Sequence, residues 1–282
     1  MNPSDPAKII ARIDDLPTLP RTVLRITELV NDPKSSAKNL ARVITDDQVL
    51  TARLLKLVNS SFYGFPQRIS TVTAAIVLLG FDAIRNLLLT TSVFDLFAVR
   101  NKKIKLVQET YWDHSLGCAV GAKVIGNYLR HDKIEELFVA GLLHDIGKIV
   151  ELMFLPSDFS HVVSRVKENH VLIIEAENDI LGYNHADIGK LLAQKWNMPV
   201  KLVEIIAYHH QPDLAGSFAT EAAIVHLADI FCRALEMGSG GDDKIPPLNP
   251  QAWQSLKIKT TAFETIMNTM YREYRDIRAF IA

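Results

Sequence analysis

The run Gly141-Leu142-Leu143-His144-Asp145-Ile146-Gly147-Lys148 places a histidine directly before an aspartate in otherwise apolar sequence. Burying both groups is costly unless they find partners. A metal ion supplies such partners: neutral imidazole donates a nitrogen lone pair, and a carboxylate brings charge and can bridge two ions. Read as one helix from Ile134 to Phe154, the run sets Lys148 four residues after His144, on the same face. Its ammonium could there meet an anionic substrate oxygen. An aspartate that only fixes a core histidine is the alternative.

Other residues of the same chemistry are scattered along the chain. His114 stands in Tyr111-Trp112-Asp113-His114-Ser115, and His185 in Gly182-Tyr183-Asn184-His185-Ala186-Asp187. His209-His210 close a helical pattern before Gln211-Pro212, and Asp229 follows Val225-His226-Leu227-Ala228. Each has a plain structural alternative: a capping or core histidine, an imidazolium at a helix C-terminus, or a carboxylate satisfied by a neighbour. His131, His161, His170 and His226 carry no such pattern, and Cys118 and Cys232 read as small buried hydrophobes.

The elements that must position these residues show helical periodicity almost throughout. Apolar positions recur at helical spacing in Val23–Val30, Leu40–Ile44, Leu50–Val58, Val72–Leu79 and Ile84–Phe97. Further blocks run over Tyr111–Leu129, Ile134–Phe154, Pro156–Asn169, Ile173–Leu181, Ala186–Trp196, Pro199–His210 and Thr220–Met237. Asn59-Ser60-Ser61 and Gly64-Phe65-Pro66 interrupt the pattern, and Asn59 to Gly64 reads as a helix end with local side-chain caps. Val99–Lys105, with Arg100, Lys102, Lys103 and Lys105, reads as a solvated basic connector and marks a boundary. Glu236–Pro250, rich in glycine and proline, reads as a flexible loop. A capping-box pattern, Thr261-Ala262-Phe263-Glu264, opens a last helix with Phe263, Ile266, Met267, Met270, Tyr274 and Ile277 on one face. The expected class is all-α, organised as 1–104, 105–235 and 236–282.

Composition narrows the function classes. The 282 residues hold 31 Lys+Arg against 32 Asp+Glu, for a formal net charge of −1, so no broad basic field attracts nucleic acid. Hydrophobic residues at 48% and charged residues at 22% are globular values, which excludes long disorder. Two cysteines build no disulfide framework, Met1 to Pro6 shows no signal peptide, and no apolar run reaches the roughly 18 residues that span a bilayer. The expectation is a cytoplasmic protein without membrane contact.

In this order, His114, His144-Asp145 and Asp229 resemble the pattern of the HD superfamily of metal-dependent phosphohydrolases, whose two-metal members add histidines where His185, His209 and His210 stand. A closer resemblance covers the first three quarters of the chain. It is carried by Leu16-Pro17-Thr18-Leu19-Pro20, Asn31-Asp32-Pro33, Ile44-Thr45-Asp46-Asp47-Gln48-Val49-Leu50-Thr51, Leu54 to Gly64, Ile69-Ser70-Thr71-Val72, Leu79-Gly80, Ala140 to Gly147 and Ala193-Gln194-Lys195-Trp196-Asn197-Met198-Pro199. That series is similar to the HDOD family, the HD-related output domain of bacterial signalling proteins.

The resemblance implies a helical bundle of the HD kind with an N-terminal helical subdomain. It implies one divalent transition metal (Fe, Mn, Zn or Ni) on His114, His144, Asp145 and Asp229. A second ion would share Asp145 and take His185 with His209 or His210. Two functions follow from it. One is a stand-alone signalling output domain that binds a protein partner or a nucleotide and retains the metal. The alternative is a phosphohydrolase or phosphodiesterase, with Asp145 and Lys148 in catalytic roles and a phosphoester as ligand. The Gly-Tyr-Pro signature of cyclic-di-GMP phosphodiesterases is absent: Gln211-Pro212-Asp213-Leu214 follows His210, and Asn184 follows Gly182-Tyr183. Hydrolysis of that dinucleotide is not expected.

Overall fold

The computed structural model describes residues 18–59, 63–97 and 101–281. Leu16-Pro17 of the opening motif, Ser60-Ser61-Phe62 and the Val99-Arg100 start of the basic stretch lie outside them. The described residues are helical without strands, so the class is all-α. The chain divides into two compact units, one built on Val99–Tyr274 and the other on Pro17–Ala98 with Arg275–Ala282.

In the smaller unit the helices are α1 (Arg21–Asn31), α2 (Ala37–Thr45), α3 (Gln48–Val58), α4 (Val72–Leu79) and α5 (Phe81–Leu96). Their starts are written locally. Ser36, Asp47 and Thr71 each accept a hydrogen bond from a backbone N–H of the first turn, which satisfies a donor that the helix itself cannot. Ile26, Leu40, Ile44, Leu54, Val58, Ile76 and Leu88 then fill one core. Gly80 takes φ +85°, a left-handed conformation that suits glycine, and the chain turns by 115° between α4 and α5. Asn59 does cap its helix: its Nδ2 donates to Leu55 O and Ile69 O, and its Oδ1 accepts from Ile69 N, each at 2.7 Å.

The larger unit is built on α6 (Lys102–Tyr128), flanked by α7 (Ile134–Leu143) and α13 (Ala219–Ala234). Around them stand α8 (Ile146–Phe154), α9 (Pro156–Asn169), α10 (Ile173–Leu181), α11 (His185–Lys195), α12 (Val200–Tyr208), α14 (Pro250–Leu256) and the part of α15 (Phe263–Ile281) up to Tyr274. No single helix among the described residues is long and apolar enough to cross a membrane.

Four local expectations change. Lys102 to Lys105 form the first turn of α6 rather than a connector. The last α-helix begins at Phe263 behind a 3-10 turn, Thr260–Ala262. Asn249, inside the expected loop Glu236–Pro250, caps a short helix, Pro250–Leu256, that the periodicity does not mark. The block Ile134–Phe154 is two helices, because His144 and Asp145 form the turn between α7 and α8.

Two glycines let the backbones around that turn close up. A Cβ on Gly141 would stand 2.8 Å from Ala119 Cα and Cys118 O in α6. One on Gly147 would stand 1.9 Å from His185 O and 3.0 Å from Gly189 N in α11. Both obstacles are backbone, so neither can yield by a rotamer change. Gly147→Ala is therefore expected to cost about 3 kcal/mol or more by overpacking. A urea titration reads this as a lower midpoint at unchanged slope. A midpoint equal to that of the unaltered chain would show that α8 and α11 are free to separate.

Candidate metal centre

Seven side chains converge inside the larger unit from five places in the chain. His114 comes from the middle of α6, His144 and Asp145 from the turn between α7 and α8, and His185 from the first position of α11. His209 and His210 directly follow α12, and Asp229 lies in α13. Local sequence aims several of them. Asn184 and Asp187 form a reciprocal capping box that starts α11 at His185. Gln211, whose N donates to Tyr208 O, and the 3-10 turn Pro212–Leu214 follow the histidine pair.

Asp145 is the centre. Its Oδ2 faces His114 Nε2 at 3.5 Å, His144 Nε2 at 3.3 Å and Lys148 Nζ at 2.6 Å. Its Oδ1 faces His185 Nε2 at 3.3 Å and His209 Nε2 at 3.7 Å. Potential ligand atoms form two groups: His114 with His144 and Asp229, and Asp145 with His185, His209 and His210. Within each, all atoms lie within 4.8 Å of one another. His114 Nε2 is 3.1 Å from Asp229 Oδ1, and His210 Nε2 is 2.9 Å from His185 Nε2.

The far side of each ring explains this convergence. His144 Nδ1 lies 2.7 Å from Gly141 O and His209 Nδ1 lies 2.8 Å from Ile206 O. Each carbonyl can only accept, so each Nδ1 carries the proton and donates it. His185 Nδ1 lies 2.6 Å from Glu177 Oε2, and His114 Nδ1 lies 3.5 Å from Cys232 Sγ. The rings of His144, His185 and His209 are thereby held with bare Nε2 lone pairs aimed inward, the tautomer a metal requires.

Burial makes the arrangement expensive as protein alone. His144, His185 and His209 are 0% exposed, and His114, Asp229 and Asp145 at most 3%. His114 Nε2, His144 Nε2, His209 Nε2, Asp145 Oδ1 and Asp229 Oδ1 have no hydrogen-bond partner among the described residues. Unsatisfied buried polar atoms are rare because each costs about 1–3 kcal/mol. Five such atoms, all imidazole nitrogen or carboxylate oxygen and divided between the two groups that meet at Asp145, are the kind of donor a divalent transition metal takes. The residues present fit such an ion.

Electrostatics agree. Burial, then the neighbouring imidazoles, press the pKa of His209 and His210 well below the usual histidine value. Burial also lowers His114, against the pull of Asp229. Burial alone would raise Asp145 and Asp229, but His144 and Lys148 hold the first, and His114 the second, well below the usual carboxylate range. Burial would lower His144, but Asp145 and Asp229 together carry it up.

Lys148 is buried and committed: Nζ donates to Asp145 Oδ2 and, at 2.9 Å, to Gly240 O. The stretch read as a flexible loop is thus tied down. Arg233 bonds Asp242 and Lys244 O, Asp242 Oδ2 accepts from Ile173 N, and Ser239 N donates to Thr110 O.

Several supporting residues escape a motif reading. His226, which looks bland in sequence, donates from Nδ1 to His209 O and accepts at Nε2 from Asn249 N, so it ties the histidine pair to the start of α14. Glu177 and Glu151 are both 0% exposed in helices α10 and α8. Burial, then the adjacent Glu177, pushes the Glu151 carboxyl well above the usual range, so a neutral acid sits beside Glu177. The only sequence signal for either glutamate is its place on the apolar face of its helix.

Comparison with known proteins identifies the family, and its matched span ends before Asp229. The family model described as "HDOD domain" matches residues 16–212. An uncharacterized protein of Treponema pallidum (strain Nichols) is 26% identical over 242 residues, 85% of this chain and 46% of the relative. The chain therefore spans about half the length of that relative. An HDOD domain protein of unknown function from Geobacter sulfurreducens superposes with TM-score 0.78 at 30% identity, covering 97% of this chain and 95% of the other. A Shewanella amazonensis protein named provisionally as a phosphohydrolase gives 0.74 at 24% identity, covering 97% and 98%, and supports the fold alone.

The depressed histidines make the metal-free protein acid-sensitive. Where a folded pKa lies below the unfolded value, the unfolded chain takes the proton first. Stability is then complete above the unfolded pKa and falls with pH below it. For His114, His209 and His210 that fall begins at about pH 6.5, at up to about 1.4 kcal/mol per pH unit for each group, while His144 opposes it. Asp145 and Asp229 extend the loss below about pH 4. Urea midpoints of chelator-treated protein should drop between pH 7 and 5. Midpoints flat across that range would contradict the neutral buried imidazoles.

Proposed function

The chain belongs to the HDOD family, and from that premise we propose that it is a signalling output module whose core holds one or two divalent transition metals. The observation that carries this reading is the set of partnerless, inward-facing Nε2 and carboxylate oxygen atoms around Asp145. His114, His144 and Asp229 would hold one ion and His185, His209 and His210 the other, with Asp145 presenting one oxygen to each group.

In this reading the protein groups do three things. The Nδ1 partners keep the lone pairs pointing inward. Lys148 offsets part of the Asp145 charge and ties that residue to the Gly240 strap. The donors come from five separated segments, so two ions there would together join α6, α11, α13, the segment after α12 and the α7–α8 turn, and their binding free energy would become folding free energy. A partner protein or nucleotide would then read a unit whose rigidity depends on occupancy. Support for the partner role comes from the family's place in bacterial signalling.

Phosphoester hydrolysis is the second reading, favoured by the completeness of the donor set. Ions bound there would supply Lewis acidity and activate water for attack on phosphorus. The deep burial of these side chains and the commitment of Lys148 to Asp145 weigh toward the first reading.

Protein loaded with Mn²⁺ or Fe²⁺ and desalted is expected to retain up to two ions per chain by elemental analysis. Saturation at about 100 times Kd should stabilise it by about 2.7 kcal/mol. Asp145→Asn should retain fewer ions and lose that gain. Protein that retains none of Mn, Fe, Zn or Ni would defeat both readings. Turnover of bis(p-nitrophenyl) phosphate by the loaded protein, abolished in Asp145→Asn, would replace the output module with the hydrolase.

A further inference from the structure

The supports behind the metal-facing rings are not alike. His144 and His209 lean on backbone carbonyls three residues earlier, at Gly141 and Ile206, so helical geometry itself supplies their acceptors. His114 lies against a neutral thiol, Cys232. His185 alone among these rings has a carboxylate behind it, and that carboxylate comes from another helix. Glu177 Oε2 in α10 accepts from His185 Nδ1 at 2.6 Å and from His185 N at 3.0 Å. Two bonds to one oxygen fix both the ring and the first residue of α11. Both side chains are 0% exposed, so no water competes for either bond.

His185 also has the most ambiguous inner side. Its Nε2 stands 2.9 Å from His210 Nε2, and one proton must lie between two nitrogens for that contact to attract. Which ring carries it depends on what occupies His185 Nδ1. With Nδ1–H donated to Glu177, His185 Nε2 must be the bare acceptor.

We propose that Glu177 is the positioning residue of the Asp145–His185–His209–His210 group, setting the His185 tautomer so that this group, and not His114–His144–Asp229, depends on it. The inference rests on the metal reading above. A carboxylate hydrogen-bonded behind a ligating imidazole raises its basicity and fixes its orientation, and losing one weakens metal binding by about 10–100-fold. Glu177 touches no ion or substrate itself.

The test is Glu177→Gln, followed by two readouts. In metal-free protein, ¹⁵N-histidine NMR should show His185 as the Nδ1–H tautomer in the unaltered chain and as a mixture, or the opposite tautomer, in the variant. In Co²⁺ titrations followed by absorption, one of two binding steps should weaken about 10–100-fold while the other stays unchanged. An unchanged tautomer, or two steps weakened equally in a folded variant, overturns the proposal. If the unaltered chain binds no Co²⁺, the metal reading falls, and the tautomer readout still decides for or against Glu177. Should Glu177→Gln fail to fold, Glu177→Asp carries the same two readouts, with a shortened acceptor and shifts expected in the same direction.

Discussion

Asp145 is a carboxylate buried to 3% exposure that faces four imidazole Nε2 atoms and one ammonium, and most of the larger unit is arranged to make that tolerable. A lone buried carboxylate would cost several kcal/mol in desolvation. Lys148 offsets its charge at Oδ2, which His114 and His144 also face, while His185 and His209 face Oδ1. Splitting Ile134–Phe154 into α7 and α8 at this residue lets its two oxygens face different groups of donors.

The same economy runs outward from the centre. Imidazoles aimed at one another with bare lone pairs repel unless something comes between them, so their outer nitrogens must be strongly held. Backbone carbonyls do this for His144 and His209, and Glu177 does it for His185. His226 braces the backbone of the histidine pair, and the Gly240 strap braces Lys148. This layering of ligands, ring supports and braces is what separates a preorganised donor set from histidines that merely share a core.

Much of the architecture was legible from apolar spacing and caps. Helical blocks such as Pro156–Asn169 and Ile173–Leu181 follow directly from periodicity. The α7–α8 break was not legible, because Ile134–Phe154 keeps its apolar run without Gly-Pro punctuation at His144; burial on all sides hides where a helix stops. Short α14 was missed although Asn249-Pro250 is a sound start signal. The seven candidate ligands stand out by residue type, each with a plain alternative, and their order carries the resemblance to the HD pattern. Glu177, Glu151 and Cys232 were not, since a buried acid or thiol in an amphipathic helix looks like any other until its neighbours are known.

The sequence by itself determined the helical class, many helix bounds and which side chains are candidate donors, because periodicity, capping and residue chemistry are local properties. Only the tertiary structure decided that α6, α11, α12, α13 and the α7–α8 turn deliver those donors to one point. It also decided which nitrogen of each ring faces inward and which carboxylate stands behind His185. Those outcomes depend on the close backbone approaches allowed at Gly141 and Gly147 and on hydrogen bonds between residues far apart in the chain. Local spacing cannot encode them.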